Sequence, residues 1–213
     1  MKKLLFIFIT VFFITGCTQI KTKSYDEIVN SALTQKYKYV NIYREGYNYY
    51  IPKGLKVSLN TETSDIITDN KYNYYLYVDR ISCHNKVANN YQIDRNAYYS
   101  NIYNYEDKSG YLEITGLQNN KYLIEIMYNY AKIEVIVDKD DINTSLGYAV
   151  TILSYIKYND KVIANLLDKG DTDFKEEEYD IFSTVSNDSN VLKFKETYTE
   201  EENDNIPDTD LIN

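Results

Sequence analysis

Histidine occurs once, at His84, and that scarcity removes several chemistries. A structural zinc takes four nitrogen or sulfur ligands, which His84, Cys83 and Cys17 together do not supply. A Ser-His-Asp triad would have to use His84, and no G-x-S-x-G turn exists to present a serine. Neither G-x-G-x-x-G nor a P-loop occurs, so the usual phosphate-cradling glycine loops are missing too. Basic charge is also scarce: 23 Lys and Arg stand against 32 Asp and Glu, a formal charge of −9. That balance excludes the electropositive field needed on a phosphate backbone, so nucleic acid is not an expected partner. Electrostatic adhesion to anionic lipid is excluded for the same reason.

Tryptophan is absent, with only 7 Gly and 2 Pro, whereas tyrosine occurs 25 times. Arg44, Arg80 and Arg95 are the only arginines. Asn, Ile, Lys and Tyr have codons rich in A and T, so one reading of this profile is genome composition alone. The other is functional, because tyrosine offers a large amphipathic surface for stacking.

The amino terminus carries the clearest pattern. Met1-Lys2-Lys3 is a positive start, and residues 4–14 are apolar except for Thr10. Eleven such residues suit the core of an export signal and fall short of the ~20 that span a bilayer as a helix. Ile14-Thr15-Gly16-Cys17 follows: a branched apolar residue, two small residues, then cysteine. The segment resembles the lipobox of bacterial membrane lipoproteins, and the chain is similar to small lipoproteins of low-GC Gram-positive bacteria. Ile14 stands where Leu is commoner. The resemblance implies a diacylglyceryl group on Cys17, cleavage before it, and anchoring by acyl chains such as palmitate on the extracytoplasmic face of the cell membrane. Several chains hold stably where one is marginal, at about 0.8 kcal/mol per buried CH₂. Removal of Lys2 and Lys3 takes the formal charge from −9 to −11. With Cys17 lipidated, Cys83 is left without an internal disulfide partner.

The expected organisation is a signal peptide at 1–16, a lipidated tether at 17–23, one α+β domain at 24–198 and an acidic tail at 199–213. That tail has six acidic residues and no basic one, which predicts disorder. Ser24 and Glu27 form a capping box opening a helix over 25–36, with Ile28, Val29, Ala32 and Leu33 on one side. Short β-rich runs follow at 39–44, 47–51, 55–59, 65–68, 72–82, 98–105, 111–115, 122–130 and 132–137. Glu45-Gly46 and Asp69-Asn70-Lys71 sit at hairpin positions, and 84–96 reads as a long loop. The Cys83-His84 pair falls at a strand end, where neighbours point to opposite faces. Leu146, Ala149, Val150, Leu153 and Ile156 form a helical stripe after residues 138–141. Asn159-Asp160 caps a shorter helix ending at Gly170, then a capped segment runs from Asp173 to about Phe182, with a last strand at 191–195.

The sum is α+β, a mainly antiparallel sheet of hairpins covered by helices. The strand-turn-strand Tyr49-Tyr50-Ile51-Pro52-Lys53-Gly54-Leu55-Lys56-Val57 and the helix Val150-Thr151-Ile152-Leu153-Ser154-Tyr155-Ile156-Lys157 resemble the opening and closing elements of the Mog1/PsbP-like fold over residues 39–160. That likeness implies a fold and no functional residue.

No calcium site is expected at 168–173. Started from Asp168, the EF-hand pattern puts Asp173 at the glycine position and Tyr179 at the bidentate glutamate; started from Asp171 it puts Glu176 and Phe182 there. No metal, cofactor or catalytic residue is expected. The remaining constellation is aromatic. Period two sets Tyr75 and Tyr77 on one face of their strand, and Tyr99, Tyr103 and Tyr105 share parity on theirs, which predicts one exposed tyrosine face. The expected function is therefore a non-enzymatic, lipid-anchored accessory domain that interacts with a protein or glycan of the cell envelope. The alternatives are recognition of cell-wall glycan or a small ligand by those tyrosines and, further off, a carboxylate-dependent hydrolase.

Overall fold

The computed structural model describes residues 20, 22–36, 38–61 and 64–168. They form an α+β fold in which seven antiparallel strands make the main sheet. Two meanders build it. Strands β3 (Lys56–Asn60), β4 (Ser64–Thr68) and β5 (Asn73–Val78) form the first; β6 (Tyr99–Tyr105), β7 (Lys108–Gly116), β8 (Lys121–Tyr128) and β9 (Ala131–Asp138) form the second. The chain leaves β5, crosses to the far edge, and returns so that β9 lies beside β5, giving the order β3-β4-β5-β9-β8-β7-β6.

Alternation in the strands creates two unlike faces. On one, Leu76, Ile133, Ile126 and Leu112 stand in a row across four strands, each at most 2% exposed. This face is covered by helix α3 (Ile142–Ser154), whose Leu146, Ala149, Val150 and Leu153 are fully buried over β8 and β9. Each such aliphatic side chain contributes about 1.5–3 kcal/mol by leaving water. Helix α1 (Tyr25–Leu33) lies against α3 and buries Ile28, Val29, Ala32 and Leu33. Its capping box is formed: Ser24 Oγ accepts from the Glu27 backbone N–H at 3.2 Å, and the Ser24 N–H donates to Glu27 Oε2 at 2.8 Å. A polar tie crosses the same layer, with the Tyr74 hydroxyl donating to Ser145 Oγ at 3.1 Å.

A second, three-stranded sheet joins β1 (Ile42–Arg44), β2 (Tyr47–Tyr49) and β10 (Lys157–Tyr158). The β1-β2 turn is Glu45-Gly46 as expected. Gly46 has φ +85°, and an added Cβ would lie 3.0 Å from Ile163 of helix α4 (Asp160–Asp168).

Three sequence expectations need correction. Residues 80–82 are not strand: the Asp79 side chain accepts from the Ser82 N–H and starts a short helix, α2 (Arg80–Asn85), which Lys86 ends in the left-handed region. Cys83 and His84 are therefore helical neighbours rather than a strand end, Cys83 buried and His84 exposed. Burial also raises the Cys83 thiol to about 11, so it stays protonated and inert near neutrality. Strand β10 is the third difference; two residues are too few to show a period. Cys17, the expected helix at 173–182, the strand at 191–195 and the acidic tail lie outside the described residues.

Candidate functional site

The sheet face opposite α1 and α3, here the distal face, carries the polar and aromatic groups. Three strands share one local pattern: Leu112-Glu113-Ile114, Ile124-Glu125-Ile126 and Ile133-Glu134-Val135. The apolar flanks are buried on the helix side, so each glutamate is sent to the distal face. Register then aligns them: Tyr75, Glu134, Glu125, Glu113 and Ser100 form one row across five strands.

Like charges directly opposite in a sheet are destabilising, so three in file require partners. Each has its own. Lys132 places Nζ 2.8 Å from Glu134 Oε1, both side chains largely buried. The Tyr111 hydroxyl donates to Glu125, and the Tyr91 hydroxyl donates to Glu113. Tyr91 belongs to the segment between α2 and β6, and its ring lies flat on that of Tyr111, with centroids 3.9 Å apart and planes 2° from parallel. Its hydroxyl also meets Ser100 Oγ at 2.8 Å. Burial, reinforced by the hydrogen bond to Glu113, pushes the Tyr91 phenol up to about 12. Burial and then the Glu125 charge push Tyr111 up further. Both phenols therefore stay protonated donors, and the stack clamps the segment to the sheet.

Beside this row lies a cavity of about 230 Å³. Its floor is Tyr77, Met127 and Lys132 from the sheet, and its rim is Asp79, Ser82 and residues 87–90. The Asn89 side chain bends back on its own backbone, Oδ1 accepting from the Tyr91 N–H at 3.0 Å, while Nδ2 faces Met127 Sδ at 3.9 Å.

No family model, curated protein or solved structure matches this chain.

Of the five tyrosines expected on one exposed face, Tyr75 and Tyr77 do share the distal face, both half-buried. Tyr99, Tyr103 and Tyr105 do not join them. Tyr99 pairs with Ile114 and Tyr103 with Gly110, which places all three on the helix-covered face. Asp26 of α1 gathers this group, accepting from the hydroxyls of Tyr99 and Tyr103 at 2.7 Å each and from Asn101 Nδ2 at 2.9 Å. Tyr99 and Tyr103 thereby hold α1 against the sheet. Among the described residues, no group of three His, Cys, Asp or Glu is placed to hold a metal ion. Glu113, Glu125, Glu134, Tyr91 and Tyr111 had no separate sequence signal beyond the threefold apolar-Glu-apolar pattern, which is visible once the three strands are compared.

The Asp26 cluster has a pH consequence. The Tyr99 hydrogen bond, helped by those of Tyr103 and Asn101, holds this carboxyl below its ordinary 3.8. A depressed folded value means stability that is present above 3.8 and lost as pH falls through the folded value. Asp26→Asn is thus expected to lower urea stability at pH 7 and to differ progressively less from the parent below pH 3.8. A gap that stayed constant down to pH 2 would show that the carboxylate charge plays no part.

Proposed function

We propose that this chain is a lipid-anchored, extracytoplasmic, non-enzymatic domain, held at the cell membrane through Cys17 and engaging an envelope component with its distal face. The observation that carries the binding reading is the glutamate row with its stacked tyrosines. An unfavourable file of like charges, assembled on the face away from the helices and fastened partner by partner, does nothing for the core. Its half-buried members, Glu113 and Glu125, serve instead with the stacked rings as fixed polar groups that orient a partner on an otherwise ordinary surface.

Hydrolysis is disfavoured by the same geometry. Acids that cleave a glycosidic bond flank it, one protonating while the other attacks or activates water. Here the carboxylates stand side by side on one surface, each committed to Tyr91, Tyr111 or Lys132. The anchor reading rests on Ile14-Thr15-Gly16-Cys17 in register with the charged start and apolar run.

One experiment tests both halves. The full chain, expressed with its leader in a bacterial host, should partition into the detergent phase, and Cys17→Ser should move it wholly to the aqueous phase. That soluble Cys17→Ser protein should co-sediment with purified cell envelopes, and adding Tyr75→Ala and Tyr77→Ala should weaken this at least tenfold. Unchanged partition overturns the anchor; absence of co-sedimentation overturns the binding face.

A further inference from the structure

The chain is tied to the domain before α1 begins. Asn143, in the first turn of α3, donates from Nδ2 to the Ile20 carbonyl at 3.2 Å and to the Lys23 carbonyl at 2.8 Å. The Lys23 N–H turns back to the Ile20 carbonyl at 3.4 Å. Gly147, one turn further along α3, leaves room for the Ile20 side chain: a Cβ there would lie 2.9 Å from Ile20 Cδ1. From Cys17 to Ile20 are three residue steps, which reach about 10 Å at full extension. Seven free steps to Ser24 would reach about 25 Å. A lipid on Cys17 thus holds one particular end of the domain close to the bilayer, the end where α1 and α3 both start.

That end carries a group of tyrosines. Tyr98, just before β6, is 49% exposed, and its ring meets that of Tyr122 at the start of β8, centroids 4.8 Å apart and edge to face. Tyr25, the first residue of α1, packs edge to face on Tyr99 at 5.0 Å. Burial, and then the neighbouring phenols of Tyr98, Tyr122 and Tyr99, push the Tyr25 phenol up to about 12, so it stays neutral. The exposed Lys139, three residues before α3, sets Nζ 5.9 Å from the centre of the Tyr98 ring. Tyrosine, with an apolar ring and a polar tip, is enriched at the headgroup layer of membranes, and a lysine there keeps its ammonium among the headgroups. The acidic balance of the chain gives no pull toward anionic lipid, so the rings and not the net charge make this contact.

We propose that the domain stands on the bilayer with this end down, Tyr98 and Ile20 set into the headgroup layer and the β6-β7 turn at Glu106-Asp107 pointing away. The proposal rests on reading Cys17 as the lipidated residue and adds the surface that the domain turns to the lipid.

The chain has no tryptophan, so Tyr98→Trp and Asn104→Trp each carry a single reporter, about 20 Å apart along β6. The test uses the full lipidated chain, purified from bacterial membranes and reconstituted into phosphatidylcholine vesicles, with and without bromine near the headgroup end of the acyl chains. Brominated lipid should quench the Tyr98→Trp emission at least twofold, at low and high salt alike, and leave the Asn104→Trp emission nearly unchanged. Adding Asn143→Ala, which frees the chain at Ile20 and Lys23, should bring the quenching of Tyr98→Trp down toward that of Asn104→Trp. Equal quenching at the two positions, none at Tyr98→Trp, or quenching untouched by Asn143→Ala overturns the orientation. Flotation of the same vesicles separates the two readings. If the chain floats with them but Tyr98→Trp is not quenched, the orientation alone falls; if the chain does not float, the lipid anchor falls with it.

Discussion

Replacing Asp65 by alanine is expected to cost about 3–5 kcal/mol, the usual penalty for removing one partner of a buried ion pair. The Asp65 side chain is completely buried on β4. It accepts from Arg44 Nε at 3.1 and 3.2 Å and from Arg44 Nη2 at 3.1 Å, and from the hydroxyl of Tyr49. Arg44 and Tyr49 belong to the three-stranded sheet, so this carboxylate joins the two sheets. Truncation would leave a mostly buried guanidinium and a fully buried phenol facing a void. Burial, the largest cause holding the Tyr49 phenol well above its ordinary 10.0, remains when Asp65 is removed, so Tyr49 does not ionise to offer relief. Domains of this size are stable by about 5–15 kcal/mol, so the loss is a large share of the total. Asp65→Asn keeps an acceptor for Tyr49 and gives up only the charge, so it should fall between parent and alanine variant. Urea unfolding followed by far-UV circular dichroism measures all three. An alanine variant within about 1 kcal/mol of the parent would mean the pair behaves as a solvated surface pair.

How much of this was legible beforehand depends on how local the determinant is. The capping box at Ser24 and Glu27, the Glu45-Gly46 turn and the Leu146 to Leu153 stripe each need only neighbouring residues, and each is where the sequence placed it. The α+β class followed from the change of period after α1. The segment from Asp79 to Lys86 was not legible: six helical residues show no period, and the signal was the Asp79 cap on Ser82. The tyrosine face failed for a different reason. Parity within β5 and within β6 is local, but whether the two agree depends on register carried through β7, β8 and β9. That register sets Tyr99 and Tyr103 against α1, and Tyr75 and Tyr77 on the other side. The glutamate row needed the same long-range register, which is why three acids, each at an alternating strand position, became a row only when the strands were aligned. Among the residues lining the cavity, Tyr77 was expected only as part of an exposed tyrosine face; Asn89 and Tyr91 sit in an aperiodic segment where spacing carries no message.

Gly110→Ala is expected to destabilise by about 3 kcal/mol, at the severe end of what overpacking costs. The reason is space rather than conformation. Gly110 pairs with Tyr128 on β8, and an added Cβ would lie 2.0 Å from the Met127 carbonyl oxygen and 2.8 Å from the Tyr128 Cα. These are backbone atoms that cannot rotate aside, so β7 and β8 would have to part. Tyr103 and Tyr128, both buried, flank the glycine in register from either side. Gly54 is the natural control. Its φ is +98° and nothing lies within 4 Å, so alanine there meets only a backbone penalty of about 1–2 kcal/mol. A 3 kcal/mol loss corresponds to roughly 6–12 °C in Tm for a domain of this size. The effect should also reach the distal face, because the next residue on β7 is Tyr111, stacked 3.9 Å from Tyr91. With no tryptophan in the chain, near-ultraviolet circular dichroism reads tyrosine packing directly. Gly110→Ala should therefore lose part of that signal well below its Tm, and Gly54→Ala should keep it. Equal spectra and a Tm within 2–3 °C of the parent would mean that β7 and β8 yield to the methyl group at little cost.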